Sequence, residues 1–224
     1  AQGAQNEDDN TRPPREGQRK REWPEARAAT SLAGSWIIVH MRDERDKREL
    51  PKTVAYVEFG DRASALPGLL LDDFEDALGA YARLGGVRAP RRARSSRNAD
   101  TLVIATHARD ATELKFLAYS PDALVYALVA CDGPETSEAQ AAMEQLRAQL
   151  ERKGALLAGC ALIPLANELE RHMRDPRMGH ARRNVSEAID ELVLALRCAD
   201  EPGVIDVRPP WPRFLYRIMG RFLR

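Results

Sequence analysis

Residues 114–150 read LKFLAYSPDALVYALVACDGPETSEAQAAMEQLRAQL, and this stretch carries the strongest fold signal in the chain. Apolar and aromatic residues run over 113–119 and again over 124–131, and turn-forming residues at 120–122 separate the two runs. This pattern is typical of two strands joined by a tight turn. An Asp-Gly-Pro turn follows, and apolar residues then recur at helical spacing from Ser137. The stretch therefore predicts a β-hairpin followed by an amphipathic helix.

Three further strands and one helix are predicted before that stretch. Short β-branched runs cover 35–41, 53–59 and 101–106, and a dense run of charges separates the first two. Residues 66–86 read LPGLLLDDFEDALGAYARLGG, in which apolar residues at helical spacing predict a helix that ends at the glycine pair. We expect its acids in the opening turn, where the helix dipole favours negative charge. These acids are Asp72, Asp73, Glu75 and Asp76.

The part of the chain after residue 131 is expected to be helical. Ser137 and Gln140 form a possible capping box at the start of one helix, and Asn184 and Glu187 form another at the start of a later helix. The apolar stretch between these helices is less regular, and Pro164 should begin a new helix rather than lie inside one. Two or three amphipathic helices are therefore predicted to cover an apolar surface.

This order of elements predicts an α+β fold, in which helices pack on an antiparallel five-stranded sheet and further helices follow at the C-terminus. We expect four segments: a polar tail or arm at 1–30, the sheet domain at 31–160, a helical extension at 161–204 and a basic amphipathic helix within 205–224. The polar tail is too rich in charge and proline to bury a core by itself.

Over about residues 35–153 the order of elements resembles the longin domain, a profilin-like fold found in trafficking SNAREs and tethering complexes. The resemblance is carried by 114–150, where a tight hairpin leads into a long apolar strand, an Asp-Gly-Pro turn and an amphipathic helix. It implies an interaction module without catalytic residues. The chain departs from the trafficking SNAREs at 165–198, which contains Pro176 and Gly179 and has no sustained heptads.

Composition excludes several classes of protein. Lysine plus arginine equal aspartate plus glutamate, 34 of each in 224 residues, so the average charge predicts neither nucleic acid nor an acidic membrane as a partner. No stretch approaches the roughly 18 consecutive apolar residues of a spanning helix, so we do not expect an integral membrane protein. The three cysteines lie far apart, without zinc-site spacing, and are expected to be buried in a reducing compartment.

No catalytic, metal or cofactor motif is found in the sequence. The glycine pair 85–86 follows a helix rather than a strand, so it does not form a phosphate loop. His172, Asp175 and His180 come nearest to a metal site but lie in an arginine-rich connection, and His107 is a lone histidine at a strand end. We therefore predict that the protein is not an enzyme and binds no metal, cofactor or small-molecule substrate.

An arginine cluster begins in the last turn of the first predicted helix and continues beyond it without an intervening acid. It can contact phosphates of RNA, lipid headgroups or an acidic subunit, or it can be a solvated loop. No aromatic residue interleaves with it, so the stacking platform of a single-stranded RNA-binding protein is missing. The cluster consists of Arg83, Arg88, Arg91, Arg92, Arg94 and Arg97.

The C-terminal residues 213–224 predict a basic amphipathic helix with one cationic edge and a broad apolar face. That face can pack on the protein's own sheet, in a partner's groove or on an anionic membrane surface. The expected docking residues are Trp211, Arg213, Phe214, Leu215, Arg217, Ile218, Met219, Arg221, Phe222 and Leu223. At the other end, Trp23 is an expected anchor for the N-terminal arm.

These observations predict a non-enzymatic scaffold or accessory subunit of a larger membrane-associated multiprotein complex. The expected partners are other protein subunits, with peripheral contact to anionic lipid and with nucleic acid less favoured. The expected location is a reducing intracellular compartment, and the mitochondrial inner membrane is one candidate. Two alternatives are a longin-type membrane-trafficking adaptor and an RNA-associated ribosomal accessory protein.

Overall fold

The computed structural model describes residues 50–60, 64–111, 118–198 and 203–212. The predicted strand at 35–41, most of the one at 113–119, the anchor Trp23 and the C-terminal helix at 213–224 lie outside these ranges. The strands are β1 Thr53–Phe59, β2 Arg91–Arg92, β3 Thr101–His107, β4 Leu124–Ala130, β5 Leu156–Ile163 and β6 Gly203–Asp206. The helices are α1 Leu66–Leu84, α2 Ser137–Arg152, α3 Ala166–His172 and α4 Arg183–Cys198. None of these helices combines the length and apolar character that a membrane span requires.

All six strands form one parallel sheet in the order β2-β1-β3-β4-β5-β6. The predicted antiparallel five-stranded sheet is therefore wrong, and so is the longin-like α+β fold class derived from it. The protein has an α/β architecture. The physical reason is visible in β3 and β4, whose residues are buried almost without interruption because helices or loops cover both faces of the sheet. Such continuous apolar runs are typical of parallel strands, whereas half-exposed antiparallel strands alternate.

The helices divide between the two faces of the sheet. α1, α3 and α4 pack on one face, in a core that includes Val54, Val103 and Tyr126. α2 packs on the other face, against residues such as Ile104 and Val129. Each strand therefore lies between two apolar layers, which is why a parallel sheet can be stable here.

Individual elements agree with the local sequence patterns better than the fold class does. The strands near 53–59, 101–106 and 124–131 and the helices near 66–84 and 137–152 are confirmed. β5 is a difference, because we expected helices throughout the region after residue 131. Its eight residues are largely small or aliphatic and lie between β4 and β6, so strand pairing satisfies a backbone that is buried on both sides.

The predicted capping boxes are wrong. Ser137 is already inside α2, and the capping residue Thr136 makes no side-chain hydrogen bond to the helix. Asn184 lies inside α4, where its amide donates to the carbonyl of Arg208 at 2.8 Å. The predicted acidic opening turn of α1 is also wrong, since the helix begins at Leu66, before its first acid.

The connection from β5 to β6 is unusual. β1–α1–β2 and β5–α4–β6 both cross on the same face of the sheet but proceed in opposite directions along it, so they have opposite hands. β4–α2–β5 crosses on the other face and shares the hand of β1–α1–β2. Parallel crossovers are right-handed in about 98% of cases. The β5–α4–β6 connection therefore differs in hand from the other two, and such a change of hand within one parallel sheet is rare.

Candidate ligand-binding cleft

The strand order reverses between β1 and β3, because the chain leaves β1 toward one edge of the sheet and leaves β3 toward the other. The first five strands follow the flavodoxin-like order of doubly wound folds, in which ligands bind outside the carboxyl ends of the strands at this switch point. A cleft of about 790 Å³ lies at that edge. It is lined by Ser64, His107, Arg109, Asp110, Asn167, Glu170 and Arg171.

His107 ends β3 and is held by protein groups on both ring nitrogens. Its side chain is 4% exposed. Nδ1 accepts two hydrogen bonds from Arg109, one from the backbone N–H at 3.3 Å and one from the guanidinium Nε–H at 3.2 Å. Nε2 lies 3.3 Å from Oδ1 of Asp132. Because Nδ1 faces two donors, we assign the ring proton to Nε2, which donates to Asp132.

Asp132 joins three elements at the carboxyl edge. It follows β4, and its Oδ1 also accepts a 2.7 Å hydrogen bond from the amide of Asn167 in α3. Its Oδ2 lies 3.3 Å from Nη2 of Arg109. The guanidinium of Arg109 is thus fixed from one side, while its side chain stays 66% exposed. Its remaining N–H groups can face a ligand in the cleft.

The opposite wall of the cleft joins the start of α1 to α3. Ser64 donates from its hydroxyl to Oε2 of Glu170 at 2.8 Å and accepts from the N–H of Leu66 at 3.3 Å. Gly60, directly after β1, has a φ of +150°, and a Cβ added there would lie 2.9 Å from Oδ2 of Asp110. The φ of +150° favours glycine at this position, and a Cβ there would displace the carboxylate of Asp110.

Leu165 holds a left-handed conformation, with φ 59° and ψ 45°, immediately before α3. Its N–H donates to the carbonyl of Gly133 at 3.1 Å, and the N–H of Ala166 donates to that of Cys131 at 2.9 Å. A non-glycine residue in this region costs about 1–3 kcal/mol, and such strain concentrates at functional sites. Here it sets the start of the short helix that carries Asn167, Glu170 and Arg171 into the cleft.

The cleft is polar and carries both signs of charge. Arg109 and Arg171 supply positive charge, and Asp110 and Glu170 supply negative charge. This arrangement can bind a molecule that has an anionic group together with hydrogen-bond donors. Both nitrogens of His107 already have partners, so the ring positions Arg109 rather than facing a ligand.

The described part of the chain contains no metal-binding group of three or more His, Cys, Asp or Glu side chains. His172, Asp175 and His180, which the sequence analysis placed nearest to a metal site, do not converge in the structure. His172 pairs with Asp175 at 2.8 Å, whereas the ring of His180 packs edge-on against Trp211 with 4.8 Å between centroids. Burial raises the pKa of the Cys160 thiol to about 12 and also raises that of Cys131, so neither is an activated nucleophile.

The structure separates the arginine cluster into different surfaces. Arg92 in β2 pairs with Glu75 at 2.9 Å, and its guanidinium lies 5.3 Å from the ring centre of Tyr56. Burial raises the pKa of Tyr56. Arg88 and Arg91 line a second cavity, at the amino ends of β1 and β2. Of the other members, Arg83 lies in the last turn of α1, Arg94 follows β2, and Arg97 lies in the short 3-10 helix Ser96–Asn98.

Of the predicted docking residues, Trp211 alone lies within the described ranges, and 52% of its surface is exposed. The cleft itself was not predicted. Its signal was polar residues at or just beyond the ends of apolar strands, such as His107 at the end of β3 and Asp132 two residues after β4. This signal has meaning only when the strands are parallel, because their carboxyl ends then meet at one edge.

Comparisons with protein-family models, with curated proteins and with solved structures found no match to this chain.

Proposed function

We propose that this protein binds a small polar organic molecule in the cleft at the carboxyl ends of β1 and β3. The observation that carries the proposal is the convergence of side chains from three separate connections on one cleft at the switch point of the sheet. Its volume falls within the range of about 300–1,000 Å³ that is usual for ligand sites.

The charges define the class of ligand. Arg109 and Arg171 suit a phosphate or carboxylate group, because guanidinium groups bind such oxygens in pairs. Asp110 and Glu170 suit hydroxyl or amine donors on the same molecule. A mononucleotide or a sugar phosphate combines these features. Flavodoxin has the same strand order and binds FMN at this switch point. This is an analogy at the level of the fold only.

The test is a thermal-shift screen of the full chain with FMN, AMP, a sugar phosphate and a free amino acid. We expect an anionic probe to raise the melting temperature, since a ligand that binds only the folded state stabilises it. Native mass spectrometry of the purified protein would detect a molecule that stays bound. A chain that carries no small molecule and responds to none of the probes would contradict the proposal.

Two variants locate the binding. Arg171→Gln removes a side chain that makes no ion pair with other described residues, and Arg109→Gln removes the guanidinium that Asp132 fixes. We expect each to reduce the shift caused by an anionic probe. The control is Arg94→Gln, which removes an exposed arginine outside the cleft and should leave the shift unchanged. Equal shifts in wild type, Arg109→Gln and Arg171→Gln would place binding elsewhere.

The scaffold hypothesis is kept as a second proposal. It is favoured by Trp211, which is half-exposed and lies two residues before the segment 213–224 that the sequence predicts as a basic amphipathic helix. A membrane or a partner subunit can cover such a segment. The free thiols of Cys131 and Cys160 support the proposed reducing compartment.

A further inference from the structure

The amino edge of the sheet carries a second cavity, of about 580 Å³, at the starts of β1 and β2. β1 is seven residues long, so this cavity lies about 20 Å from the cleft at the carboxyl edge. Its lining residues are Leu50, Pro51, Lys52, Thr53, Val87, Arg88, Ala89, Pro90 and Arg91.

Strand geometry explains why two adjacent arginines behave differently. Thr53 pairs with Arg91 and Val54 pairs with Arg92, so the members of each pair point to the same face of the sheet. Val54 faces α1, and Arg92 on that side reaches Glu75 in α1. Arg91 points to the other face, away from Glu75. Only one of the two arginines is therefore neutralised by this helix.

The cavity has an excess of positive charge. Lys52, Arg88 and Arg91 are exposed and form no ion pair with the residues that the structure describes. The acid that hydrogen bonds at its margin is Asp100, whose Oδ2 accepts from the N–H and the hydroxyl of Thr53 at 3.1 Å each. Asp100 offsets the charge of one of the three cations. The positive charge that remains suits a ligand with a multiply charged anionic group better than a ligand with a single carboxylate.

The remainder of the lining is apolar. Leu50 and Pro51 precede β1, and Val87, Ala89 and Pro90 precede β2. Val87 is 36% exposed, so part of this surface faces solvent. A ligand that carries an apolar part beside its anionic group would cover this surface. The free energy of binding would become more favourable in proportion to the apolar area removed from water.

We propose that this cavity binds an amphipathic phosphate, with the phosphate on Lys52, Arg88 and Arg91 and the apolar part on Leu50, Pro51, Val87 and Pro90. Arginine forks give paired, charge-assisted hydrogen bonds to phosphate oxygens. The site is separate from the carboxyl-edge cleft, so one of the two binding proposals can be wrong while the other is right.

The test measures binding of dihexanoyl phosphatidic acid, as monomers in solution, to the full chain by isothermal titration calorimetry. Dihexanoyl phosphatidylcholine has the same tails without the net negative charge, and inorganic phosphate has the anion without tails. We expect phosphatidic acid to bind and both control compounds to bind at least about tenfold more weakly, since each lacks one half of the interaction. Equal binding of inorganic phosphate or phosphatidylcholine would overturn the amphipathic assignment.

Charge-removing variants locate the site. Arg88→Gln/Arg91→Gln should weaken phosphatidic acid binding by about tenfold or more, because two charged hydrogen-bonding groups are lost. Arg94→Gln/Arg97→Gln removes the same charge from two exposed arginines outside the lining and should bind as wild type does. All four residues are exposed, so both variants should keep the wild-type melting temperature.

Two results would overturn the location or the ligand class. An equal loss of phosphatidic acid affinity in both double variants would mean that the positive charge of the whole surface attracts the lipid. Tighter binding of a single-stranded RNA oligonucleotide than of phosphatidic acid, with the same loss in Arg88→Gln/Arg91→Gln, would assign the site to nucleic acid. Vesicles of phosphatidylcholine and phosphatidic acid then distinguish a bilayer lipid from a soluble phosphate: co-sedimentation that depends on Arg88 and Arg91 identifies the bilayer as the source.

Discussion

Asp73 is the only acid among the buried residues that the structure describes. Its Oδ1 lies 2.7 Å from Nη2 of Arg182 and 3.2 Å from Nη1 of Arg177. Arg177 also binds Asp190, and Arg182 donates to the carbonyl of Met173 at 2.6 Å. These contacts tie the loop between α3 and α4 to both α1 and α4. Asp73 in α1 thus binds a loop and a helix that lie far from it in the sequence.

Asp73→Asn should lower the free energy of unfolding by about 3–5 kcal/mol, because it leaves the largely buried guanidinium of Arg182 without its counter-charge, whereas Arg177 keeps Asp190. The measurement is urea denaturation monitored by circular dichroism. The neighbouring exposed residue provides the control: Asp72→Asn should change the free energy by less than about 0.5 kcal/mol. Equal effects of the two substitutions would show that the ion cluster adds nothing to stability.

Gly60→Ala tests the close approach at the cleft. Alanine is strained at a φ of +150°, and its Cβ would press on Asp110, so we expect a loss of more than about 1 kcal/mol together with weaker binding of any cleft ligand. Gly86→Ala is the matched control, because its φ is +63° but no atom lies within 4 Å of the added Cβ. It should lose stability and keep ligand binding. Normal binding in Gly60→Ala would remove the end of β1 from the site.

At the scale of elements, α3 supplies three of the residues that line the cleft. This seven-residue helix starts at the strained Leu165 and presents Asn167 and Glu170 to Asp132 and Ser64, respectively. No local periodicity marks such a short helix as functional. Its importance comes from its position after β5, where the carboxyl edge of the sheet brings it beside the ends of β3 and β4.

The predicted C-terminal helix allows a test of the membrane proposal at the same scale. The full chain should co-sediment with vesicles of phosphatidylcholine and phosphatidylglycerol, whereas a chain truncated after Pro210 should co-sediment less, because it keeps only the cavity at Lys52, Arg88 and Arg91 as a lipid contact. Arg217→Gln/Arg221→Gln keeps the apolar face and should bind more weakly, with the difference disappearing at high salt. If the full and truncated chains both remain in the supernatant, the membrane proposal fails.

At the scale of the whole molecule, two cavities lie at opposite edges of one parallel sheet. Helix crossovers and loops cover both faces, so the edges are where the connections expose polar side chains. The carboxyl edge combines both signs of charge, and the amino edge combines cations with apolar residues. This difference is why we propose different ligands for the two regions.

The sequence by itself determined where most helices and strands lie, because periodicity and turn residues act within a few positions of one another. It also indicated the arginine-rich connection from which Arg88 and Arg91 come. Only the tertiary structure decided that β3 and β4 are parallel, that β5 is a strand and that His107, Asp132 and Glu170 meet at one edge. Strand direction depends on how a connection crosses the sheet, and that choice is made by packing between residues far apart in the chain.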